Sequence, residues 1–281
     1  MLAYTRKLRV NGIDFAVRVW GDGPRRALLL HGFPDDADSM APLARLLVDR
    51  GFTVAAPFLR GYAPTGLPAD ARYDLCALAG DAVGLIEALG GSMTVVGHDW
   101  GAVIAYAAAA LAPERVEQVV GVSVPPVPTL IANLHRDPQQ ARRSAYMLWF
   151  NTPLSGWLSR IGDLSIVDRL WSAWSPDWSP PPGRLAEVKA TLATPGSLEA
   201  ALGYYRALRL PVAPRRQARW RASWRLMRQP LARPTIVVHG ERDGCIGPAL
   251  FHDVPCPTRY LPGVGHFVPL EAPAAIAECV R

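Results

Sequence analysis

The sequence lacks any apolar run long enough to cross a membrane. Short runs such as residues 27–30 and 119–122 fall far short of the about 20 apolar residues that span a bilayer. The N-terminal segment, residues 1–11, has no apolar stretch of the kind that a signal peptide carries. We therefore expect a cytoplasmic protein with no membrane partner.

Cysteine is scarce and shows no pairing pattern. The four cysteines, Cys76, Cys245, Cys256 and Cys279, form no CxxC motif and have no histidines at the spacing of zinc ligands. The sequence therefore predicts neither a disulfide framework nor a metal site. We expect reduced, structural cysteines and no cofactor.

Lysine is almost absent, so arginine supplies nearly all of the positive charge. The formal charge is +6, and nine arginines fall between residues 206 and 233. Trp220, Trp224 and Met227 recur there at helical spacing, with most of the arginines off that stripe, which predicts an amphipathic helix with a solvated basic face. No nucleic-acid-binding module accompanies the arginines, so we expect no nucleic-acid partner. A role in attracting anionic substrates or partners stays open.

The apolar residues that are present predict an α/β protein. Residues 6–10 and 13–20 alternate like strands around the turn pair Asn11-Gly12, which indicates a hairpin. The apolar runs that follow do not alternate, as is typical of parallel strands buried on both faces, and helical stretches separate them. The runs are residues 27–30, 53–56, 94–96, 119–122, 236–238 and 259–261, and the helical stretches are residues 40–49, 75–89 and 102–111.

The alternation of strands and helices stops at Val124 and resumes at Thr235. Residues 125–230 read as helices broken by proline, and seven of the nine tryptophans lie there. We call residues 125–230 the helical insertion. An insertion between two parallel strands predicts a lid over the strand ends, where ligand sites form. The rest of the chain, residues 1–124 and 231–281, is expected to form one core.

The stretch VVGHDWGA has the outline of a nucleophile elbow, with small residues on both sides of a reactive one. Its centre is Asp99, between Gly97 and Gly101, where a strand meets a helix. A carboxylate there is favoured by the helix dipole, whether it is a nucleophile or an N-cap. Position 99 alone leaves both interpretations open.

Two further residues favour catalysis. Asp243 follows the run at residues 236–238, and His266 follows the run at residues 259–261. The chain order of nucleophile, acid and base is that of α/β-hydrolases. HGFP at residues 31–34 then predicts either a turn braced by His31 or an oxyanion hole, made by the N–H groups of Phe33 and Trp100.

These motifs together resemble the α/β-hydrolase superfamily and, within it, the epoxide hydrolases and the haloalkane or haloacetate dehalogenases. The resemblance covers essentially the whole chain and implies an α/β-hydrolase fold with an inserted helical cap. The matching motifs are HGFP at residues 31–34, RGY at 60–62, GHDWGA at 97–102, GERD at 240–243 and GHF at 265–267.

An aspartate nucleophile points to a saturated carbon rather than an ester carbonyl. The carboxylate is already ionised, and its attack gives an alkyl ester of Asp99. His266, held by Asp243, then activates the water that hydrolyses this ester. Halide and epoxide oxygen are the leaving groups that fit.

The resemblance implies that the helical insertion decides between halide and epoxide oxygen as the leaving group. Epoxide hydrolases present two tyrosines of the lid to the epoxide oxygen. The first of these lid segments resembles SAYMLWFNTP, which contains Tyr146. The second resembles ALGYYRAL, in which Tyr205, rather than Tyr204, is the matching tyrosine. The prediction is an epoxide hydrolase that forms a vicinal diol. We expect the partner to be a small apolar or aromatic epoxide, while a homodimer is left open. The residues predicted to contact the substrate are His31, Phe33, Trp100, Trp149 and Phe267.

Two alternatives remain from the sequence. A dehalogenase would use the same nucleophile, but related haloalkane dehalogenases carry asparagine where Phe33 stands. Fluoroacetate dehalogenases carry a histidine with a tryptophan in the lid, but no such pair is found near Tyr146, and the only histidine of the insertion is His135. A protein that binds its ligand without turnover is the second alternative. Phe58 and Ala63 depart from the family pattern, which has aspartate and glycine at these positions in many relatives.

Overall fold

An eight-stranded sheet forms the centre of the molecule. The computed structural model describes residues 3–209 and 211–281, without the side chain of residue 215. The strands are β1 Tyr4–Val10, β2 Ile13–Trp20, β3 Arg25–Leu30, β4 Phe52–Pro57, β5 Met93–His98, β6 Val116–Val122, β7 Thr235–Gly240 and β8 Thr258–Leu261. Their order in the sheet is β1-β2-β4-β3-β5-β6-β7-β8. Strand β2 runs antiparallel to β1 and β4, and the other neighbours are parallel.

The sheet confirms the predicted hairpin and the predicted parallel strands. Asn11 and Gly12 have φ angles of 48° and 78°, the left-handed conformation that a two-residue hairpin turn requires. The last four residues of β3 and all six residues of β5 are buried. Burial on both faces explains why these strands do not alternate in sequence.

Helices cover the sheet and make up the insertion. In the core they are α1 Ala41–Val48, α2 Leu75–Ala88, α3 Trp100–Leu111, α12 Val268–Glu271 and α13 Pro273–Ala277. In the insertion they are α4 Val127–Asn133, α5 Gln140–Arg143, α6 Ala145–Phe150, α7 Ser155–Ser159, α8 Ile161–Trp174, α9 Arg184–Ala193, α10 Ser197–Arg206 and α11 Pro214–Met227. Short 3₁₀ helices lie at Ala37–Met40, Pro113–Arg115, Leu134–Arg136 and Pro248–Phe251.

The predicted arginine-rich helix is present as α11. Its Trp220, Trp224 and Met227 are half-buried, whereas Arg221 and Arg225 are exposed. Across residues 3–209 and 211–281, the structure contains no helix with the length and apolar character needed to cross a membrane.

The insertion is anchored on the turn that follows β3. The indole N–H of Trp171 donates to the carbonyl of Pro34 at 2.8 Å. The guanidinium of Arg184 pairs with the carboxylate of Asp36, and the hydroxyl of Thr191 donates to the same carboxylate at 2.9 Å. These contacts attach the insertion to the turn that follows the carboxyl end of β3.

Candidate active site

Asp99 sits in a strained turn between β5 and α3. Its φ and ψ are 52° and −117°, and its side chain makes no capping hydrogen bond to α3. A β-carbon on Gly97 would collide with the carbonyl of Gly101, and one on Gly101 would collide with the carbonyl of Leu30. Only glycine fits on either side of the turn, and the strained backbone at Asp99 leaves its carboxylate outside the geometry of an N-cap. The alternative in which this side chain caps α3 is therefore wrong.

Asp99, Asp243 and His266 meet at the carboxyl ends of the strands. His266 Nδ1 lies 2.8 Å from Asp243 Oδ2, and His266 Nε2 lies 3.8 Å from Asp99 Oδ2. Asp243 Oδ1 also accepts the backbone N–H groups of Cys245 and Ile246, at 2.7 and 3.0 Å. His266 Nε2 has no hydrogen-bond partner in the described part of the chain. The pairing with Asp243 orients the ring so that Nε2 faces Asp99.

Burial and charge shift the pKa values of this group in a consistent way. Burial lowers the pKa of His266, but the carboxylates of Asp243 and Asp99 more than offset it, so this pKa is raised above its usual 6.5. Burial raises the pKa of Asp99, and the opposing effects of His266 and the backbone N–H groups of Phe33 and Trp100 offset part of that rise. The raised pKa of His266 suits a base that works near neutral pH.

The turn after β3 supplies an N–H group to Asp99, and His31 braces that turn. The backbone N–H of Phe33 donates to Asp99 Oδ1 at 2.9 Å. His31 Nε2 accepts the N–H of Leu59 at 3.0 Å, and its Nδ1 lies 2.9 Å from the carbonyl of Gly32. Both nitrogens of this fully buried ring are thus used by the backbone. These contacts make His31 a brace of the turn, while its contact with the substrate stays a prediction.

The insertion brings its two predicted tyrosines to Asp99. The rings of Tyr146 and Tyr205 are 5.7 Å apart, and Tyr205 packs edge-on against Phe33 at 5.4 Å and Trp100 at 5.3 Å. The Tyr205 hydroxyl is buried without a hydrogen-bond partner among the described residues. The Tyr146 hydroxyl lies 3.6 Å from Cys245 Sγ. Burial raises the pKa of both phenols well above 10.0, so both remain protonated as hydrogen-bond donors.

The remaining predicted residues take different positions. The Tyr204 hydroxyl is used within the fold, since it donates to the carbonyl of Arg60 at 2.9 Å. Phe267 is buried and stacks on Trp171 at 4.0 Å, beside His266. Trp149 is 37% exposed, and no aromatic ring in the described part of the chain packs on it. The structure therefore does not bring Trp149 into the aromatic cluster around Asp99.

Sequence reasoning missed the groups that hold the His266 loop. Ser175 Oγ, from the insertion, accepts the backbone N–H of His266 at 2.9 Å and donates to the Glu271 carboxylate at 2.6 Å. Glu271 also accepts the N–H groups of Gly265 and Phe267, at 2.7 and 2.9 Å. Ser175 lies 91 residues from the backbone group that it binds, so no local pattern could identify it.

Cys245 and Gln140 join the loop after β7, which contains Asp243, to the insertion. Gln140, in α5, donates to the carbonyl of Cys245 at 2.8 Å and accepts the N–H of Gly247 at 3.0 Å. The same loop gives Asp243 its two backbone N–H groups and places a thiol at Tyr146. All four cysteines are free thiols. Within the described ranges, no cluster of three metal-ligating side chains could hold a metal ion.

Comparisons with known proteins agree with this fold. A family model of the alpha/beta hydrolase fold matches residues 28–156. Epoxide hydrolase A of Mycobacterium tuberculosis is 38% identical over 157 residues, which make up 53% of this chain and 48% of that protein. Epoxide hydrolase 3 of Mus musculus is 30% identical over 269 residues, covering 90% of this chain and 68% of that protein. The crystal structure of an epoxide hydrolase from Vigna radiata matches with a TM-score of 0.77 at 26% identity, over 99% of this chain and 96% of that one.

The extent of these matches differs. The chain spans 36% and 48% of the length of two of its curated relatives. The match to the mouse protein covers two thirds of that relative. The mostly parallel sheet and the family match confirm the predicted fold and resemblance. The chain therefore belongs to the α/β-hydrolase superfamily, within the group that includes the epoxide hydrolases.

Proposed function

We propose that this protein is an epoxide hydrolase that converts a small apolar or aromatic epoxide to a vicinal diol. Asp99 is the nucleophile, His266 and Asp243 activate water, and Tyr146 and Tyr205 donate hydrogen bonds to the epoxide oxygen. The names of the relatives and the arrangement of these five side chains support the proposal.

The first step opens the epoxide. An Asp99 carboxylate oxygen attacks one ring carbon, a carbon–oxygen bond forms, and the ring carbon–oxygen bond breaks. A tyrosine hydroxyl gives its proton to the leaving oxygen. The product is an ester between Asp99 and the half-opened substrate, while the phenolate left behind is stabilised by the second tyrosine.

The second step releases the diol. His266 Nε2 takes a proton from water, whose oxygen adds to the carbonyl carbon of the Asp99 ester. The N–H groups of Phe33 and Trp100 stabilise the resulting oxyanion. The ester bond then breaks, and the diol oxygen takes the proton held by His266. The proton left on the Asp99 carboxyl group then passes through solvent to the phenolate, which restores both the nucleophile and the tyrosine.

The pair of phenols near Asp99, of which Tyr205 is buried and Tyr146 half-buried, is the observation that most supports an epoxide as the substrate. A halide leaves without a proton, so a dehalogenase has no need of two protonated phenols at this position. The unpartnered Tyr205 hydroxyl is a buried donor whose desolvation is offset only when an acceptor arrives. The aromatic surroundings of both phenols favour an apolar substrate. Those surroundings include Phe33, Trp100, Phe150 and Trp174.

Trapping the ester tests the proposal. His266→Gln should still form the ester but hydrolyse it slowly, so mass spectrometry after exposure to styrene oxide should find the adduct on the peptide that contains Asp99. Asp99→Asn is the control and should carry no adduct. Turnover of an epoxide by the wild type with no adduct in His266→Gln would contradict the ester mechanism.

Two assays separate the alternatives. Halide release from haloalkanes or haloacetate, with no diol from any epoxide, would favour a dehalogenase. Ligand binding that leaves every epoxide unchanged, and that Asp99→Ala does not weaken, would favour a protein that binds without turnover.

A further inference from the structure

The outer surface of the insertion exposes several large apolar side chains in one short segment. The exposed fractions are 76% for Leu148, 62% for Leu154, 66% for Trp157 and 54% for Ile161. Single exposed apolar residues are common on protein surfaces, but contiguous ones mark interaction sites. These four residues lie within residues 148–161, on α6, α7 and the turns beside them.

The insertion also carries the whole excess of positive charge. Residues 125–230 contain 15 of the 30 lysines and arginines but only 6 of the 24 aspartates and glutamates. The formal charge of the insertion is therefore +9, and that of the remaining chain is −3. Such an asymmetry is typical of proteins whose charged region meets an anionic surface.

Uncompensated arginines adjoin the exposed apolar segment. Arg206 and Arg209 donate to the carbonyls of Phe150 and Asn151, at 3.1 and 3.2 Å. In the described part of the chain, neither guanidinium has a carboxylate within 4.0 Å. Their charge remains available beside residues 148–161.

The basic helix α11 adjoins this region. The indole N–H of Trp220 donates to the carbonyl of Leu208 at 2.9 Å, next to Arg209. An open groove of about 360 Å³ runs along α11. Its lining alternates aromatic rings with guanidinium groups, and consists of Trp220, Arg221, Trp224, Arg225 and Arg228.

We propose that this surface, residues 148–161 together with α11, docks on the face of an anionic lipid bilayer. The leucine, isoleucine and tryptophan side chains would enter the interface, and the arginines would meet the phosphates of the headgroups. Surface docking needs no spanning helix, so the proposal replaces our sequence-based expectation of no membrane partner.

Charge distinguishes a bilayer from a second copy of the chain. A two-fold dimer pairs a patch with itself, which would set a region of charge +9 against its equal. Nucleic acid would neutralise the arginines, but its phosphates offer nothing to the protruding apolar side chains. An anionic bilayer satisfies both the charge and the apolar surface.

Vesicle flotation of the full chain tests this proposal without any substrate, so its result is independent of the proposed reaction. We expect binding to vesicles of phosphatidylcholine with about a third of phosphatidylglycerol, little binding to phosphatidylcholine alone, and weakening by salt. The double variant Leu154→Ser/Trp157→Ser should lower the affinity for the anionic vesicles at least about tenfold. Leu111→Ser, at an apolar position on α3 that is 50% exposed, is the control and should bind like the wild type.

A second pair of changes examines the charge. Arg221→Gln/Arg225→Gln should also weaken vesicle binding, by about tenfold, since each arginine near an anionic surface contributes separately. Arg9→Gln, on β1, should not. The proposal is overturned if the wild type fails to bind anionic vesicles at low salt, or if Leu154→Ser/Trp157→Ser leaves binding unchanged. It is equally overturned if the wild type ignores vesicles but forms a dimer that this variant dissociates, or binds a DNA duplex instead.

Discussion

The strand-end loops and the helical insertion supply the candidate site in different ways. In the loops, Asp243 accepts two backbone N–H groups besides pairing with His266, and Asp99 accepts the N–H of Phe33. In the insertion, the Tyr205 hydroxyl has no partner among the described residues, and the Tyr146 hydroxyl meets only a thiol. The loops hold their carboxylates by hydrogen bonds, whereas the insertion holds its phenols by ring packing.

This difference separates two parts of the proposed chemistry. In the proposed reaction, the hydrogen-bonded carboxylates fix the nucleophile and the base, and these act whatever the leaving group. The packed phenols leave their hydroxyls available to a substrate oxygen, and thus determine which bond is broken. Changes in the loops should therefore abolish turnover, and changes in the insertion should reduce it selectively.

The largest effect is expected from the loops, at Asp243. Asp243→Asn should lower kcat by about 10³- to 10⁴-fold, because the ring of His266 loses its orientation and charge partner. In the wild type, neutral His266 is the base, so kcat should fall as the pH drops through a pKa above 6.5. Loss of the Asp243 charge lowers this pKa, so the acid limb of the pH–rate profile should move to lower pH. An acid limb that stays in place would show that His266 is not the titrating base.

Two adjacent tyrosines give the sharpest comparison within the insertion. Tyr205→Phe should lower kcat about 10²-fold through the loss of an acid. It should leave the free energy of unfolding unchanged or raise it by up to about 1 kcal/mol, because the hydroxyl is buried without a partner. Tyr204→Phe removes the hydrogen bond to Arg60, and should cost about 1–2 kcal/mol of stability while kcat changes less than about threefold.

Turnover measured with urea unfolding of both variants separates the two roles. If Tyr204→Phe lost activity while Tyr205→Phe kept it, the assignment of the proton donor within this pair would be reversed. The alkaline side of the profile adds a check on both phenols. Since burial raises the pKa of Tyr146 and of Tyr205 well above 10.0, ionisation of neither phenol should lower kcat below pH 10.0.

The smallest effect on kcat is expected at Cys245, where a strand-end loop contacts the insertion. Cys245→Ala removes the thiol at Tyr146 but keeps the backbone N–H that Asp243 accepts. We expect kcat to fall by less than about fivefold, because a thiol forms only a weak hydrogen bond. In a Tyr146→Phe background the same change should have no further effect on kcat. An equal effect in both backgrounds would show that the thiol acts independently of Tyr146.

The sequence predicts the sheet and the loops well because their signals are local. The pair Asn11-Gly12 specifies a hairpin turn, and the buried strands have short apolar runs of the right length. Asp99 directly follows its strand, and Asp243 and His266 lie three and five residues beyond the ends of theirs, so the parallel topology brings all three to one edge.

The insertion is harder to predict because its contacts depend on packing. The sequence does not distinguish the buried Tyr205 from the exposed Trp149, since each lies in a helix of the insertion next to another aromatic residue. His31 likewise has the same sequence context whether its nitrogens face a ligand or the backbone. Ser175 acts through a distant backbone N–H, which leaves no pattern in its own segment.

One single-turnover experiment tests the central claim, that Asp99 is alkylated by the substrate. With enzyme in excess over epoxide in water enriched in heavy oxygen, the first diol should take its new oxygen from Asp99 and carry no label. The peptide that contains Asp99 should instead gain one heavy oxygen, because water attacks the carbonyl of the ester. Label in the first diol, with an unlabelled Asp99, would contradict the ester and show that water attacks the epoxide directly.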